Sequence, residues 1–570
     1  MMFPVLPLKS TVSAVLSLAL IACTATGPGR PTPPGTEAQQ AIEAILAPWV
    51  SDSAPGVAVA VSKDGEIVFA RGAGMANLEH GEPITPDSVF QVASVSKQFT
   101  AFATLLLVSE GKIGLDDDIR TYIPQLAEHP VTVTIRHLLN HMGGLREVNT
   151  LAAMAGWLDD DIQTHAQLME LVTRQRGVNF AAGARVEYSN TGYMLLAEIV
   201  SRVSGMPFEQ FTRERIFAPL GMTNTRFKAS RNDLVRGRAS SYFPATDGFR
   251  NVVAAGESTG STGLYTTALD LLKWTENFQA RRVGEDIVFD LMEKRAAALD
   301  GEDATFAKGQ EQRQYKGLET WSHGGRDAGY RSFLLRVPAE GFAVAVLSNR
   351  TDFDTARLAF AVVDAFLSSS PFYRPDEPEN WEPASSAQLK SYAGHYEMYP
   401  GVIFTISADS EGLKFAALNA PENEYQVLPQ IGRHRFLVSP AADISIAFHD
   451  PVEGQSPGFS YTIGLHGTLK GRRVELAPFD PATVELSDYL RTCESPELAA
   501  RYVFSISGDT LFAKHPRRPA FALAPYQVDA FTGEGPLQEI IFTRDRNGNV
   551  SGLRASASLA DDVTFRCTAR

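Results

Sequence analysis

Two residues near position 95 have the types and spacing that could carry out acyl transfer. Ser94 and Lys97 lie three residues apart at the start of a stretch with helical periodicity. Three residues are close to one helical turn, so the amine of Lys97 can reach the hydroxyl of Ser94 and take its proton. The N-terminus of a helix also favours the negative charge that develops on the hydroxyl oxygen. The pair predicts a serine nucleophile with a lysine base.

A second motif, Tyr188-Ser189-Asn190, is the only Y-x-N sequence in the chain. A phenol beside a lysine ammonium can be held partly ionised and can relay a proton to a leaving group. The carboxamide of Asn190 can orient the lysine or hold a substrate amide. The structural alternative is that Tyr188 only packs and that Asn190 caps a helix starting near Thr191.

A third motif, His323-Gly324-Gly325, precedes a pair of predicted strands. Its two glycines allow a substrate backbone to run close along the strand. The alternative is a solvated histidine in a turn. A second H-x-G sequence begins at His141, so the motif is a weak signal by itself.

Other motifs are less consistent with chemistry. A second S-x-x-K, Ser109–Lys112, contains Gly111 at the far end of the predicted helix, which breaks the geometry. The stretch Gly256–Gly260 matches G-x-S-x-G but lacks the strand before it and the helix after it that a nucleophile elbow needs. His137 and His141 have the i, i+4 spacing of zinc ligands, but neither the catalytic glutamate nor a third ligand is evident. We therefore expect no metal site.

The surrounding pattern predicts an α+β domain over residues 39–369. Alternating valines and an Asp-Gly turn predict a hairpin over 55–74, and helical periodicity covers 94–110 and several later stretches. Residues 370–388 are rich in proline and serine and are interpreted as a linker. Short alternating stretches then predict all-β domains over 389–480 and 481–570, as two small barrels or as two halves of one barrel.

The N-terminus predicts export. A short apolar stretch after Lys9 is typical of a signal peptide over residues 1–22. It ends in Leu-Ile-Ala-Cys, which resembles the lipobox of bacterial lipoproteins and implies a lipid on Cys23 and a membrane anchor. An ordinary signal peptide remains the alternative. Residues 23–38 are rich in proline and glycine and are interpreted as a tether. We expect a periplasmic or cell-envelope protein.

Composition limits the remaining possibilities. The chain has 570 residues, 44% hydrophobic and 21% charged, which indicates several globular domains. The net charge is −14 and no basic run is present, so nucleic-acid binding is not expected. In an oxidising compartment Cys493 and Cys567 could form a disulfide, and two free thiols are the open alternative.

The three motifs, in this order, resemble those of the class C β-lactamase and D-Ala-D-Ala carboxypeptidase family. Further stretches look like the same family, including PGVAVAVSKDGEIVFARGAG, SVFQVASVSKQFT, TIRHLLNHMGGL, VEYSNTGYMLL and GLYTTALDLLKW. The resemblance covers residues 39–369. It implies a β-lactamase-like α/β (α+β) catalytic domain, in which an antiparallel sheet is flanked by helices and joined to a helical cluster.

The resemblance also implies a role for each motif residue. Ser94 attacks the carbonyl carbon, while Lys97 and Tyr188 exchange protons with it and with the leaving group. Asn190 supports Lys97 and the substrate amide. The backbone N–H groups of Ser94 and Arg326 form the oxyanion hole, a donor pair that usually contributes several kcal/mol in the transition state.

One departure directs the functional prediction. His323 stands where the family usually has lysine, and a neutral imidazole binds a carboxylate less strongly than an ammonium does. H-x-G and extra β domains resemble the D-aminopeptidase branch. We therefore expect an enzyme that forms an acyl-enzyme on peptides with a D-residue, without a cofactor. The alternatives are a class C-like β-lactamase, a carboxylesterase or a non-catalytic penicillin-binding sensor lipoprotein. The oligomeric state is left open.

Overall fold

The computed structural model describes residues 36–297, 299, 303–304, 306–375, 380–418, 420, 422–439, 444–463 and 467–569. The proposed signal peptide, Cys23 and most of the tether lie outside the described residues. The tether prediction ends too late, because a helix begins at Glu37. Thr36 caps it in a reciprocal capping box with Gln39. A helix also begins at Ser386, inside the proposed linker.

Eleven α-helices occur in the part of the chain that the structure describes. They are Glu37–Leu46 (α1), Ser96–Ser109 (α2), Ile135–Leu139 (α3), Val148–Met154 (α4), His165–Thr173 (α5), Asn190–Ser204 (α6), Phe208–Thr212 (α7), Ala268–Ala280 (α8), Asp286–Glu293 (α9), Thr355–Leu367 (α10) and Ser386–Tyr392 (α11). Within the same residues, none of the helices has the length and apolar character needed to cross a bilayer.

The strands fall into three groups along the chain. The first group is Val57–Lys63 (β1), Glu66–Ala73 (β2), Met75–Asn77 (β3), Glu82–Pro83 (β4), Phe90–Gln91 (β5), Arg226–Phe227 (β6), Tyr242–Ala245 (β7), Gly248–Asn251 (β8), Leu264–Thr266 (β9), Ala296–Ala297 (β10), Asp303–Ala304 (β11), Phe306–Ala307 (β12), Gln310–Tyr315 (β13), Leu318–Asp327 (β14), Tyr330–Val337 (β15) and Phe342–Ser348 (β16). The second is Gly394–Tyr399 (β17), Val402–Asp409 (β18), Gly412–Ala417 (β19), Gln426–Leu428 (β20), Gln430–Gly432 (β21), Arg435–Ser439 (β22), Ile444–Phe448 (β23), Gly458–Ile463 (β24) and Gly467–Val474 (β25). The third is Arg491–Ser495 (β26), Ala500–Ser507 (β27), Thr510–Lys514 (β28), Phe521–Gln527 (β29), Ala530–Gly533 (β30), Glu539–Arg544 (β31), Val550–Ala557 (β32) and Ala560–Ala569 (β33).

The catalytic domain is built on an antiparallel sheet in the order β12-β13-β14-β15-β16-β1-β2. The β1–β2 hairpin turns at Asp64 and Gly65, whose φ angles of 51° and 81° are those of a two-residue primed turn. Alternate residues of β1 enter different cores. Ala58 joins the core that contains α2, α6 and α8, whereas Val57 joins the core that contains α1 and α10. The sheet is therefore covered by helices on both faces.

The C-terminal region contains two separate β units. Strands β17 to β25 form a nine-stranded sheet, and strands β26 to β33 form a closed barrel. A disulfide joins Cys493 to Cys567, which face each other across β26 and β33 where the barrel closes. The predicted fold class is confirmed: a β-lactamase-like domain of helices and sheet precedes an all-β region.

The barrel packs directly on the catalytic domain. Leu151, Met154 and Leu171, from helices α4 and α5, belong to the same apolar core as the interior of the barrel. The hydroxyl of Tyr502 in β27 donates a hydrogen bond to the carbonyl of Met154 at 2.9 Å. Burial of this apolar surface holds the barrel beside the segment that follows α3.

Candidate active site

Ser94 lies in a short 3₁₀ turn, Ala93–Val95, immediately before α2. The expected helical start at Ser94 is therefore shifted, and Ser94 precedes the α-helix that carries Lys97. Ala93 has a φ of 46°, in the left-handed region that non-glycine residues rarely adopt. Such strained backbone is often found at functional sites, where the surrounding structure holds it in place. Ser94 itself is only partly buried, so its hydroxyl is accessible.

Lys97 is completely buried and its amine makes three hydrogen bonds. The Nζ atom lies 3.1 Å from Oγ of Ser94, 2.7 Å from Oδ1 of Asn190 and 2.8 Å from the carbonyl oxygen of Ser261. Burial lowers the pKa of Lys97 from about 10.5 to about 7, although the negative charges of Glu147 and Asp327 raise it. A substantial fraction of this amine is therefore neutral near neutral pH and able to accept a proton.

Tyr188 completes the group around the nucleophile. Its ring centroid lies 4.8 Å from Nζ of Lys97, and the side chain of Ser94 lies beside its phenol. Burial raises the pKa of Tyr188 well above its ordinary value of 10, and the charge of Glu147 raises it further. The expectation of a partly ionised phenol is therefore wrong for the free protein. Tyr188 is a neutral proton donor at neutral pH.

Asn190 is the first residue of α6 and does not cap it. The helix is capped by Ser189, whose hydroxyl accepts a hydrogen bond from the N–H of Gly192 at 3.1 Å. The side chain of Asn190 instead turns towards the site, with its oxygen on Lys97 and its nitrogen on Glu147 at 2.8 Å. The structural alternative for this residue is wrong.

His323 is a buried residue of strand β14, not a solvated turn histidine. Its Nδ1 donates to the carbonyl oxygen of Gly324 at 2.6 Å, which leaves Nε2 as an acceptor. Nε2 is buried and has no hydrogen-bond partner among the described residues. Burial lowers the pKa of His323 to about 3, and the charge of Lys97 lowers it further. The imidazole is neutral at neutral pH.

Gly325 brings strand β14 against the turn that carries the nucleophile. A Cβ atom at this position would lie 2.3 Å from the carbonyl oxygen of Val92, so only glycine allows this approach. Strand β13 pairs with β14 no further than Ser322. In the described strand pairing, residues 323–327 have no partner on that side, and a substrate backbone could bind along this edge. Arg326, whose backbone N–H is expected to form part of the oxyanion hole, directly follows Gly325 in this strand.

The two histidines considered as zinc ligands have other partners. Nδ1 of His141 accepts the N–H of Ser189 at 3.0 Å, and its ring stacks on Tyr188 with centroids 4.6 Å apart. Nδ1 of His137 accepts the N–H of Thr134 in a capping box. Among the described residues, no group of three or more histidines, cysteines or acidic side chains is placed to hold a metal ion.

The G-x-S-x-G stretch, Gly256–Gly260, does not form a nucleophile elbow, but its neighbour Ser261 contributes to the site. Ser258 is buried, and its hydroxyl is hydrogen-bonded to the hydroxyl of Ser261 at 2.6 Å. The contribution to the site is the carbonyl of Ser261, which accepts from Lys97. The rejection of this stretch as the nucleophile is consistent with its burial.

Sequence reasoning missed two site residues besides Ser261. Phe306 places its ring 5.8 Å from the rings of both Tyr188 and His323. Glu147 is buried and binds Asn190. The only available signal for Glu147 was its place two residues after the family-like stretch that ends at Leu145. The structure otherwise brings Ser94, Lys97, Tyr188, Asn190 and His323 together as expected.

Comparison with known proteins identifies relatives of this chain. The family model described as Beta-lactamase matches residues 38–366. A D-aminopeptidase from Gluconobacter oxydans is 28% identical over 368 residues, which are 65% of this chain and 68% of that protein. A D-aminopeptidase from Brucella anthropi is 27% identical over 339 residues, which are 57% of this chain and 62% of that protein.

Solved structures show the same fold. The D-amino acid amidase from Ochrobactrum anthropi SV3, complexed with D-phenylalanine, is 25% identical with a TM-score of 0.51, and the match covers 59% of this chain and 100% of the amidase. The octameric penicillin-binding protein homologue from Pyrococcus abyssi is 22% identical with a TM-score of 0.53, covering 76% of this chain and 99% of the homologue. The chain is a serine hydrolase, and it belongs to the beta-lactamase family.

Proposed function

We propose that this serine hydrolase forms an acyl-enzyme on Ser94 and cleaves amide bonds next to a D-residue, as a D-aminopeptidase or a D-Ala-D-Ala carboxypeptidase type of peptidase. The observation that carries the proposal is the 3.1 Å distance between Nζ of Lys97 and Oγ of Ser94. It is a hydrogen-bond distance, so the hydroxyl proton can pass directly to the amine.

Acylation follows from the contacts of Lys97. In the neutral amine, two protons bind Oδ1 of Asn190 and the carbonyl of Ser261, and the lone pair is left for the hydroxyl proton of Ser94. The Ser94 oxygen then bonds to the substrate carbonyl carbon. The backbone N–H groups of Ser94 and Arg326 are proposed to stabilise the oxyanion.

Breakdown of this intermediate needs a proton on the leaving amine. Tyr188 is neutral and lies beside Ser94 and Lys97, so its phenol can donate the proton and recover one from Lys97. The carbon–nitrogen bond breaks and leaves an ester on Ser94. Water then attacks this ester with Lys97 as its base, which releases the acid and restores the free serine.

The substrate class is proposed from His323 and from the relatives. A neutral imidazole with an unpartnered acceptor nitrogen favours a substrate N–H group over a carboxylate. The names of the relatives, D-aminopeptidase and D-amino acid amidase, also support amide substrates with a D-residue. This favours the D-aminopeptidase type, whose substrate has a free amino group at a D-residue. It disfavours the carboxypeptidase type and the β-lactamase alternative, whose substrates present a carboxylate.

The test compares four chromogenic substrates on one enzyme preparation. We expect D-alanyl p-nitroanilide to be hydrolysed faster than its L-isomer, nitrocefin and p-nitrophenyl butyrate. Ser94→Ala should abolish hydrolysis, whereas Ser109→Ala, in the second S-x-x-K sequence, should have no effect. Faster nitrocefin or butyrate hydrolysis would instead support a β-lactamase or a carboxylesterase. Slow labelling of Ser94 without release would support a penicillin-binding sensor.

Export and lipid attachment at Cys23 are part of the same proposal. They are supported by the lipobox-like residues before Cys23 and by the disulfide in the barrel, which is typical of proteins outside the cytoplasm. Metabolic labelling with palmitate in a bacterial host should label the full-length chain and should not label Cys23→Ser. Equal labelling of both would contradict the lipoprotein assignment.

A further inference from the structure

We propose that Glu147 is a positioning residue for the Lys97–Asn190 pair, and that the C-terminal barrel holds Glu147 in place. The barrel thereby becomes part of the catalytic apparatus without contacting the substrate. The inference rests on the proposed acylation of Ser94, and it concerns residues outside the three sequence motifs.

The carboxylate of Glu147 binds both the backbone and the side chain of Asn190. Oε2 accepts the backbone N–H of Asn190 at 2.7 Å, and Oε1 accepts its side-chain Nδ2 at 2.8 Å. The carboxylate also lies at the N-terminus of helix α6, where a negative charge is favoured. Glu147 is 4% exposed, so these interactions form away from bulk water.

These contacts fix which end of the carboxamide faces the lysine. A carboxylate can only accept, so it selects the NH₂ end of Asn190 and turns Oδ1 towards Nζ of Lys97. With the carboxamide reversed, two donors would face each other and the lysine would lose an acceptor. Glu147 also adds a negative charge that raises the pKa of Lys97 against the effect of burial. Glu147 therefore orients an acceptor of Lys97 and makes the amine more basic than burial alone would leave it.

The backbone of Glu147 is held by the barrel. Its N–H donates to the carbonyl oxygen of Leu559 at 2.9 Å, in the turn between β32 and β33. The barrel also binds the preceding residue, Arg146, through several hydrogen bonds. The guanidinium of Arg146 donates to Oε2 of Glu497 at 2.8 Å and to the carbonyl oxygens of Asp561 and Asp562 at 2.7 and 2.9 Å.

The Arg146–Glu497 pair is almost completely buried, with side-chain exposures of 3% and 9%. Removing one partner of such a pair leaves a buried charge uncompensated, and the local structure must rearrange. Because Arg146 directly precedes Glu147, a rearrangement there moves the carboxylate that orients Asn190. The contacts form one path from the barrel through Glu147 and Asn190 to Lys97.

The first experiment measures acylation by p-nitrophenyl acetate across pH, at the isosbestic wavelength of the nitrophenol product. The Ser94 oxygen bonds to the acetyl carbon, p-nitrophenolate leaves, and the serine proton passes to Lys97. The acylation rate should rise with pH to a plateau. We expect Glu147→Gln to lower the rate on this plateau by about 10- to 100-fold, as for a misplaced reacting group. The pH at the midpoint of the rise should also become lower, because a charge that raises the pKa of Lys97 is lost.

Glu147→Asp separates charge from position. It keeps the charge but withdraws the carboxylate, so the plateau should fall while the midpoint stays nearer to that of the wild type. It also replaces Glu147→Gln if that variant does not fold, as judged by near-ultraviolet circular dichroism. Unchanged plateau and midpoint in the folded variants would overturn the role of Glu147.

The second experiment tests the barrel with two interdomain ion pairs, one beside Glu147 and one elsewhere on the interface. Glu497→Gln removes the pair next to Glu147, and Arg517→Gln removes the pair with Asp161, which lies elsewhere on the same interface at 2.5 Å. We expect Glu497→Gln alone to lower the plateau rate at least about fivefold and to shift the midpoint. Equal rates in the two variants would overturn the role of the barrel.

The acetate ester carries no D-residue, so these outcomes do not depend on the substrate class. A wild-type enzyme that forms no acetyl-Ser94 would contradict the proposed function itself. A wild-type enzyme that acylates Ser94, with variants that match it, would contradict only the inference about Glu147 and the barrel.

Discussion

The amine of Lys97 is closer to Oδ1 of Asn190, at 2.7 Å, than to Oγ of Ser94, at 3.1 Å. With the carbonyl of Ser261, these atoms provide three acceptors for the three protons of an ammonium. The charged lysine is thus fully hydrogen-bonded in the resting site. Loss of one proton leaves the two other contacts intact and frees the lone pair towards the serine, so activation needs no side-chain movement.

The titration of Lys97 should control the acid side of the activity profile. Because its pKa is lowered to about 7, kcat/KM should rise as pH increases through about 7 and should then level off. The value of kcat/KM rises with pH because the base is the neutral amine, which is the minor form below this pKa. Stopped-time hydrolysis of D-alanyl p-nitroanilide between pH 5 and 9 measures this. Activity that falls over the same rise in pH would exclude the neutral amine as the base.

Replacing His323 with lysine should reverse the substrate preference. His323→Lys places a second ammonium beside Lys97 and exchanges an acceptor nitrogen for a donor. We expect the KM for D-alanyl p-nitroanilide to rise at least about tenfold, which corresponds to about 1.4 kcal/mol. Acylation by benzylpenicillin, which carries a carboxylate, should become faster.

His323→Gln is the matched control for that change, since it keeps a neutral side chain that can accept a hydrogen bond. It should retain a KM closer to that of the wild type. If the lysine and glutamine variants show the same KM and the same penicillin reactivity, His323 does not select the substrate.

Asp561 should make the stability of the protein depend on pH. Burial raises the pKa of this carboxyl to about 7 and the neighbouring charge of Glu187 raises it further. The folded state therefore holds a proton that the unfolded chain releases near pH 4, and stability should fall as pH rises from about 4 to about 7. Asp561→Asn should be more stable than the wild type at pH 8 and similar at pH 4, as measured by urea unfolding. A wild-type advantage at pH 8 would contradict this.

The disulfide between Cys493 and Cys567 should stabilise the barrel. It closes a loop with a sequence separation of 74 residues. In the chain-entropy model a loop of this length contributes about 4 kcal/mol to the free energy of unfolding. A Cys493→Ser/Cys567→Ser variant should unfold at lower urea concentration than the wild type. Dithiothreitol should destabilise only the wild type. Indistinguishable unfolding curves would show that the bond adds nothing.

The sequence predicted the parts of the site that depend on short-range spacing. Ser94 and Lys97 are three residues apart, so one turn of chain is enough to bring them together. Tyr188 and His323 were assigned through their order along a family-like sequence, because nothing local connects them to Ser94. The helices with reciprocal capping boxes, such as the one capped by Thr164, also follow from local chemistry.

The residues that the sequence did not predict act through tertiary contacts. Glu147 reaches Asn190 across 43 positions, and its neighbour Arg146 reaches Glu497 across 351 positions. No periodicity or spacing encodes such contacts, and the Arg146–Glu497 contact forms only when the barrel has docked on the catalytic domain. The raised pKa of Tyr188 was also missed, because it depends on the tertiary burial of the phenol and not on its neighbours in sequence.

Mass spectrometry after exposure to a D-alanyl ester tests the central claim most directly. The protein is quenched in acid within the first turnover, digested and mapped, with Ser94→Ala treated in parallel. We predict a D-alanyl mass increase on the peptide that contains Ser94 in the wild type and none in the variant. Turnover of the ester with no adduct on this peptide, or with the adduct on another residue, would contradict the account.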